Sequence, residues 1–289
     1  MQIKAKDLTY SYSSSKKDKK YALKKVNLTI EEGDFFGIIG QTGSGKSTFV
    51  QHLNGLIKIG KDCGSISIGD YDLTDKKCDF ISLRSKLGMV FQYPEYQLFA
   101  ETVFEDVAFG LKNFNKGLTA EQIEIAVRLA IETVGLDYLS VKDKSPFELS
   151  GGQKRRVAIA GVIVSKPEIL VLDEPVAGLD PKGKRDFIRL LHTLHNSFVK
   201  TIIIVSHDMN LVAENCNKIA LFSQGEIIKQ GSPKEVFSDE RFIEKTGLSL
   251  PVTKKVENML KEVGIIADSD LTEQDFIQKV IREFKGGAL

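Results

Sequence analysis

Polar and apolar residues alternate along the start of the chain. Leu8, Tyr10 and Tyr12 are each separated by one polar residue, as are Val26, Leu28 and Ile30, which is the period-two pattern of half-buried strands. Between them runs Ser13-Ser14-Ser15-Lys16-Lys17-Asp18-Lys19-Lys20. It reads as a solvated hairpin loop, or as a basic run touching anionic lipid or nucleic acid. Phe35-Phe36-Gly37-Ile38-Ile39 is continuously apolar and ends in a glycine-rich turn, as a strand buried on both faces does. Residues 87–91, 169–172, 202–205 and 219–222 have the same look. Helical periodicity fills the gaps. Ile123, Ala126, Val127, Ala130, Ile131 and Val134 form one stripe behind a Thr119-x-x-Gln122 capping box. Phe187, Leu190, Leu191 and Leu194 form another, entered through Asp180-Pro181. Strands alternating with helices predict an α/β fold with a mainly parallel core sheet covered on both faces, after a β-rich N-terminal segment.

Beyond about residue 232 only short helices are predicted. Pro251 opens one with Val252, Val256, Met259, Leu260 and Val263 on one side. Thr272-x-x-Asp275 caps another carrying Ile277, Val280, Ile281 and Phe284. These helices either pack on the main sheet or form a small module that contacts a partner.

Composition narrows the class. With 40 Lys+Arg against 39 Asp+Glu the net charge is +1, which weighs against coating nucleic acid by bulk electrostatics. The longest run of apolar residues and glycine, 157–164, is far short of the roughly 20 that a membrane span needs. Met1-Gln2-Ile3-Lys4 does not open an apolar signal segment, so an intracellular protein is expected. Cys63, Cys78 and Cys216 have neither disulfide nor zinc spacing. His192 and His195, three residues apart, have the geometry of a metal pair but no third ligand nearby, and are read as solvated helix residues.

The chemistry begins after the strand at 35–39. Gly40-Gln41-Thr42-Gly43-Ser44-Gly45-Lys46-Ser47 fits the phosphate-binding pattern G-x-x-x-x-G-K-[ST], followed by Thr48. Its glycines let backbone N–H groups turn inward toward phosphate oxygens, and the loop opens a helix whose N-terminal dipole favours an anion. Lys46 is placed to reach the β- and γ-phosphates, and Ser47 to offer a hydroxyl to Mg²⁺. Ile169-Leu170-Val171-Leu172 delivers Asp173 and Glu174 to the carboxyl end of a buried strand. There Asp173 can hold Mg²⁺ and Glu174 can polarise a water for in-line attack. Leu149-Ser150-Gly151-Gly152-Gln153 is a second helix start suited to an anion: Ser150 caps it, and two glycines allow close approach.

With these motifs in this order, residues 1–235 resemble the ATP-binding cassette family. The resemblance implies a P-loop cassette with an N-terminal antiparallel β-subdomain, a helical signature subdomain at about 93–165, and a C-terminal helical extension at 236–289. It further implies that Ser150, Gly151, Gly152 and Gln153 close over ATP bound by a second subunit. Tyr12 resembles the aromatic that stacks on adenine. Gln92 resembles the glutamine that touches Mg²⁺ and the attacking water. Gly178-Leu179-Asp180 resembles the loop crossing between subunits, with Gly178 where alanine is often found. His207 resembles the switch histidine on the γ-phosphate. With Glu174 and His207 both present, the half-site is expected to be catalytically competent.

A single cassette, without a fused membrane segment or long coiled-coil insertion, points to an importer ATPase. Phe91-Gln92-Tyr93-Pro94-Glu95-Tyr96-Gln97-Leu98-Phe99, with the segment at 102–110, resembles the ATPases of energy-coupling factor transporters, which take up vitamins and transition-metal ions. Tyr-Pro-Glu-Tyr resembles one of their two non-identical ATPases. The resemblance implies a cytoplasmic-face peripheral protein paired with a sister ATPase through its tail, as a heterodimer or else a homodimer. It also implies a membrane coupling protein that meets residues 92–99 and a separate substrate-binding membrane subunit, without nucleic acid. Two alternatives are an ATPase of another importer, for cobalt or amino acids, and a soluble ATP-gated protein acting on nucleic acid or ribosomes.

Overall fold

The computed structural model describes residues 1–13, 20–265 and 268–286, with side chains through 283. The basic run at 14–19 lies outside the described residues. The strands are Ile3–Ser11 (β1), Tyr21–Ile30 (β2), Phe35–Gly40 (β3), Ser65–Ile68 (β4), Tyr71–Asp72 (β5), Leu87–Val90 (β6), Ile169–Asp173 (β7), Thr201–Ser206 (β8), Lys218–Ser223 (β9) and Glu226–Gly231 (β10). The helices of the first half are Lys46–Leu53 (α1), Phe80–Lys86 (α2), Val103–Phe114 (α3), Ala120–Thr133 (α4), Tyr138–Val141 (α5) and Gly151–Ile163 (α6). Those of the second are Pro181–His195 (α7), Met209–Asn215 (α8), Pro233–Val236 (α9), Glu240–Lys245 (α10), Val252–Glu262 (α11) and Glu273–Gly286 (α12).

The core sheet has the order β10-β9-β3-β8-β7-β6, and all its pairings are parallel except β10 with β9. Its central strands β3, β7 and β8 are buried throughout because both faces are covered. Within each run, alternate residues serve opposite cores. Phe35, Ile39, Leu170, Leu172, Ile202 and Ile204 join one cluster with helices α3, α4, α6 and α7. Phe36, Ile38, Ile169, Val171, Ile203 and Val205 join the other, beneath α1 and the second sheet. That sheet, β2-β1-β4-β5, is antiparallel. Irregularities in β1 accompany left-handed backbone at Asp7 and at Lys25 of β2, and they shift the alternation from Ile3 and Ala5 to Leu8. Tyr12 falls just past β1, where it is exposed rather than a strand residue.

The four predicted capped starts, at Thr119, Ser150, Asp180 and Thr272, all occur. Thr119 and Gln122 form a reciprocal capping box, and Asp180 accepts from the Gly183 N–H at 2.7 Å. His192 and His195 are engaged by neighbours instead of forming a metal pair. Their Nε2 atoms meet Asn215 Oδ1 and the Lys200 carbonyl, and their rings lie 5.4 and 5.8 Å from Phe35. At the C-terminal end the two readings divide by residue. Val236, Phe237, Ile243, Leu250 and Leu271 are buried in the main core, whereas Val252, Met259, Val263, Ile277 and Ile281 are exposed. Among the described residues no helix is long and apolar enough to cross a membrane.

Candidate active site

The strand order sets the site. Ile39 pairs with Ser206, and Asp173 with Val205, so the carboxyl ends of β3, β7 and β8 emerge side by side. The phosphate loop leaves β3 at Gly40, whose φ of 151° and whose closeness to the Phe222 carbonyl exclude a side chain. Gly45, with φ 108°, starts α1 against the Ala22 carbonyl under the same constraint. Lys46 is buried and donates to the Gly40 and Gln41 carbonyls at 2.7 and 2.9 Å, closing the loop on itself. Burial lowers its pKa, opposed by the Glu174 and Asp173 carboxylates. The Ser44 hydroxyl is buried in the loop with no hydrogen-bond partner, the condition of a donor that a phosphate oxygen would satisfy.

Asp173 is buried at the end of β7. Burial raises its pKa, which a hydrogen bond with Ser47 lowers, the Glu174 charge raises and Lys46 lowers. Hydroxyl and carboxylate oxygens of this kind, Ser47 and Asp173 with the Gln92 amide across the cleft, are the hard donors Mg²⁺ takes alongside nucleotide phosphates. Glu174 has a φ of 50° and donates its N–H to the Val205 carbonyl at 2.9 Å, which ties it to β8. Its Oε2 meets His207 Nδ1 at 2.8 Å; the carboxylate is nearly buried and the imidazole 71% exposed. Asp208, next to that histidine, caps α8 at Leu211.

Gly45, Lys46, Ser47, Gln92, Asp173, Glu174 and His207 line one cleft of about 610 Å³, together with Tyr12, Thr42, Gly43 and Thr48, while Gly40 and Ser44 shape the loop from outside that lining. Tyr12, 65% exposed, reaches in from the rim, with its hydroxyl 3.1 Å from Thr48 Oγ1. Its ring meets Tyr10 edge-on at 4.9 Å, and Tyr10 meets His52 at 5.0 Å. His52 donates Nδ1–H to the Thr48 carbonyl at 2.7 Å. Tyr10 and His52 were not foreseen; they brace Tyr12 from behind, and only the aromatic character of β1 hinted at this. Gln41 points away from the cleft, and its side chain lies against Gly247 beyond α10. Ser150, Gly151, Gly152, Gln153 and Asp180 are also outside the cleft. Ser150 and Gln153 form a capping box at the start of α6, while Gly152 and Asp180 border a separate groove beside α7. A single chain thus brings together the phosphate loop, both carboxylates, Gln92, His207 and Tyr12, but not the signature.

The sequence profile of the ABC transporter family matches residues 23–177. The chain belongs to the ABC transporter family. It is 45% identical over its whole length to the energy-coupling factor transporter ATP-binding protein EcfA2 of Clostridium tetani, covering 99% of that protein. It is 47% identical to the EcfA2 of Clostridium acetobutylicum, with 97% of both chains covered. Among solved structures it is similar to CbiO1 from Clostridium perfringens, part of the ABC transporter complex CbiONQ. That match has a TM-score of 0.72 and 37% identity, covering 90% of this chain and 98% of that one. A dimeric post-hydrolysis ATP-binding cassette bound to ADP and phosphate matches with TM-score 0.70 and 31% identity, covering 79% of this chain and 97% of that one. The chain is therefore an ABC-type ATPase that binds and hydrolyses ATP.

Proposed function

We propose that this ATPase powers an energy-coupling factor importer for vitamins or transition-metal ions from the cytoplasmic face of the cell membrane. Full-length likeness to EcfA2 proteins supports the transporter type. The observation that carries the chemistry is the Glu174–His207 contact of 2.8 Å at the edge of the phosphate loop. In this reading residues 40–48 bind the phosphates and Tyr12 stacks on adenine. Ser47, Asp173 and Gln92 hold Mg²⁺, which when bound neutralises charge developing on the phosphoryl oxygens. Glu174 accepts the proton of the attacking water, and His207 orients that carboxylate and the γ-phosphate. Ser150–Gln153 and Asp180 act on the nucleotide of a sister ATPase, the expected partner in a heterodimer. Residues 1–235 form the cassette, with 93–165 as its signature subdomain, and 236–289 support pairing. The surface at 92–99 meets a membrane coupling protein, which works with a separate substrate-binding subunit.

Affinity purification from membranes, with identification of the co-purified chains, tests the assembly. The expected result is a second cassette and at least one membrane-spanning chain. Hydrolysis stimulated by RNA, DNA or ribosomes, with no membrane chain recovered, would replace the proposal with a soluble ATP-gated protein.

A further inference from the structure

One buried cation near the site has no part in holding phosphate. Arg155, on the second turn of α6, is 6% exposed. Its Nη1 donates to the Ala177 carbonyl at 3.0 Å and its Nη2 to the Pro175 carbonyl. These carbonyls bracket the turn that follows Glu174, closed by the Ala177 N–H on the Glu174 carbonyl at 3.2 Å. One guanidinium fork therefore holds the backbone between Glu174 and the loop at Gly178-Leu179-Asp180. A lysine could not do the same, because an ammonium lacks the planar pair of donors.

The Nε–H donor of Arg155 is buried without a partner, and so is Oε2 of Glu95. Glu95 is close enough for its charge to act on Arg155. It sits in the short turn Pro94–Gln97, just after Gln92. Tyr93 enters that turn with φ 55°, a backbone region costly for a bulky residue, and its ring lies beside Gly178. The turn thus lies against the backbone segment that Arg155 anchors. A buried donor and a buried acceptor of opposite charge, both unpaired, mark a contact that a small displacement of this turn completes.

We propose that Arg155 is a positioning residue for Glu174, and that Glu95 adjusts it: movement of the turn at 94–97 makes or breaks the Glu95–Arg155 pair and so shifts the backbone that carries the catalytic carboxylate. The inference rests on the proposed membrane contact at residues 92–99 as the source of that movement. Its geometry is internal to this chain.

The test uses the full-length chain purified with its sister ATPase for steady-state ATP hydrolysis, and the chain alone for fluorescence. Arg155→Gln is expected to lower kcat by about ten-fold or more, since small misplacement of a reacting group is costly. KM for ATP should stay within about two-fold, because the phosphate loop is untouched. Arg155→Lys should not restore kcat. Glu95→Gln should lower kcat about three-fold, and the double variant should be no slower than Arg155→Gln alone. An unchanged kcat in Arg155→Gln, full rescue by lysine, or a double variant as slow as the product of the single effects would each overturn the proposal. Should Arg155→Gln not fold, Glu95→Gln decides. The sequence contains no tryptophan, so Tyr93→Trp provides a single fluorophore on the turn. ATP should shift its emission, and Glu95→Gln should abolish that shift; an ATP response retained in Glu95→Gln, with kcat unchanged, would overturn the proposal. Failure to recover membrane chains would refute the transporter reading without touching these kinetics, and unchanged kinetics would leave that reading intact.

Discussion

Glu174 combines a left-handed backbone, a carboxylate nearly removed from solvent and a 2.8 Å contact to His207, a set of constraints typical of a residue held for chemistry. Glu174→Gln keeps the shape and removes the base. It should bind ATP as the natural chain does while hydrolysis falls by roughly 10²–10⁴-fold. Nucleotide binding and phosphate release measured on the same preparation check this, and natural turnover in the variant would remove the assigned role. His52 titrates against the fold. Burial holds its pKa below the ordinary 6.5, so as pH falls through that value the unfolded chain takes up the proton first. The stability contributed by the neutral ring is present above pH 6.5 and declines below it, by at most about 1.4 kcal/mol per pH unit for one proton. Denaturant midpoints between about pH 7.5 and about pH 5.5 should therefore fall less in His52→Gln than in the natural chain, and equal declines would contradict the assignment. At this scale Lys46, Asp173 and Glu174 were legible because the chemistry fixes their neighbours in sequence, whereas His207 was singled out only by the family resemblance. Arg155, Glu95, Tyr10 and His52 were not. The bonded partners of Arg155 and His52 are backbone carbonyls, which any residue supplies, and Glu95 and Tyr10 acquire their roles only through nonlocal packing.

The long apolar strands were legible as elements, and their observed ends differ from the predicted ones by about one residue. Lys218 and Ser223, for instance, simply extend the run 219–222. β4 and β5 were missed because they are too short to establish a period, and β10 because its edge position leaves it half exposed. The α6 start was legible as a cap, but its glycines are informative only in three dimensions. A Cβ added at Gly151 or Gly152 meets no atom within 4 Å, and both positions are exposed. Nothing within the chain requires glycine there, and alanine would favour the helix by up to about 1 kcal/mol. If the signature closes over a partner's nucleotide, Gly152→Ala should leave the melting temperature unchanged or raised while hydrolysis by the paired ATPases drops at least ten-fold. A destabilised chain, or one with natural turnover, would show that the glycines serve something other than that approach.

At the level of the whole molecule, the amphipathic pattern of the tail was legible, but its direction was not, since periodicity identifies an apolar stripe without saying what covers it. In the structure the tail is anchored by Phe237, Ile243, Leu250 and Leu271, which complete the main core. α11 and α12 nevertheless leave Met259 65%, Val263 72% and Ile277 47% exposed, while Glu257 is buried with Lys254 3.1 Å away. An anchored extension that turns apolar side chains outward is consistent with burial against a second ATPase. Deleting residues 250–289 would remove Leu250 and Leu271 from the core, so lost pairing would be confounded with lost folding. Met259→Lys and Ile277→Lys avoid this because both positions already face solvent. The double variant should melt with the natural chain, since exposed sites tolerate substitution within about 0.5 kcal/mol. Its co-purification with the sister ATPase should fall by about ten-fold, the effect of losing about 1.4 kcal/mol of contact. Pairing unchanged in a folded double variant would mean that the outward stripe takes no part in assembly. The signature and crossing loops alone would then hold the two ATPases together, and pairing would depend on bound ATP.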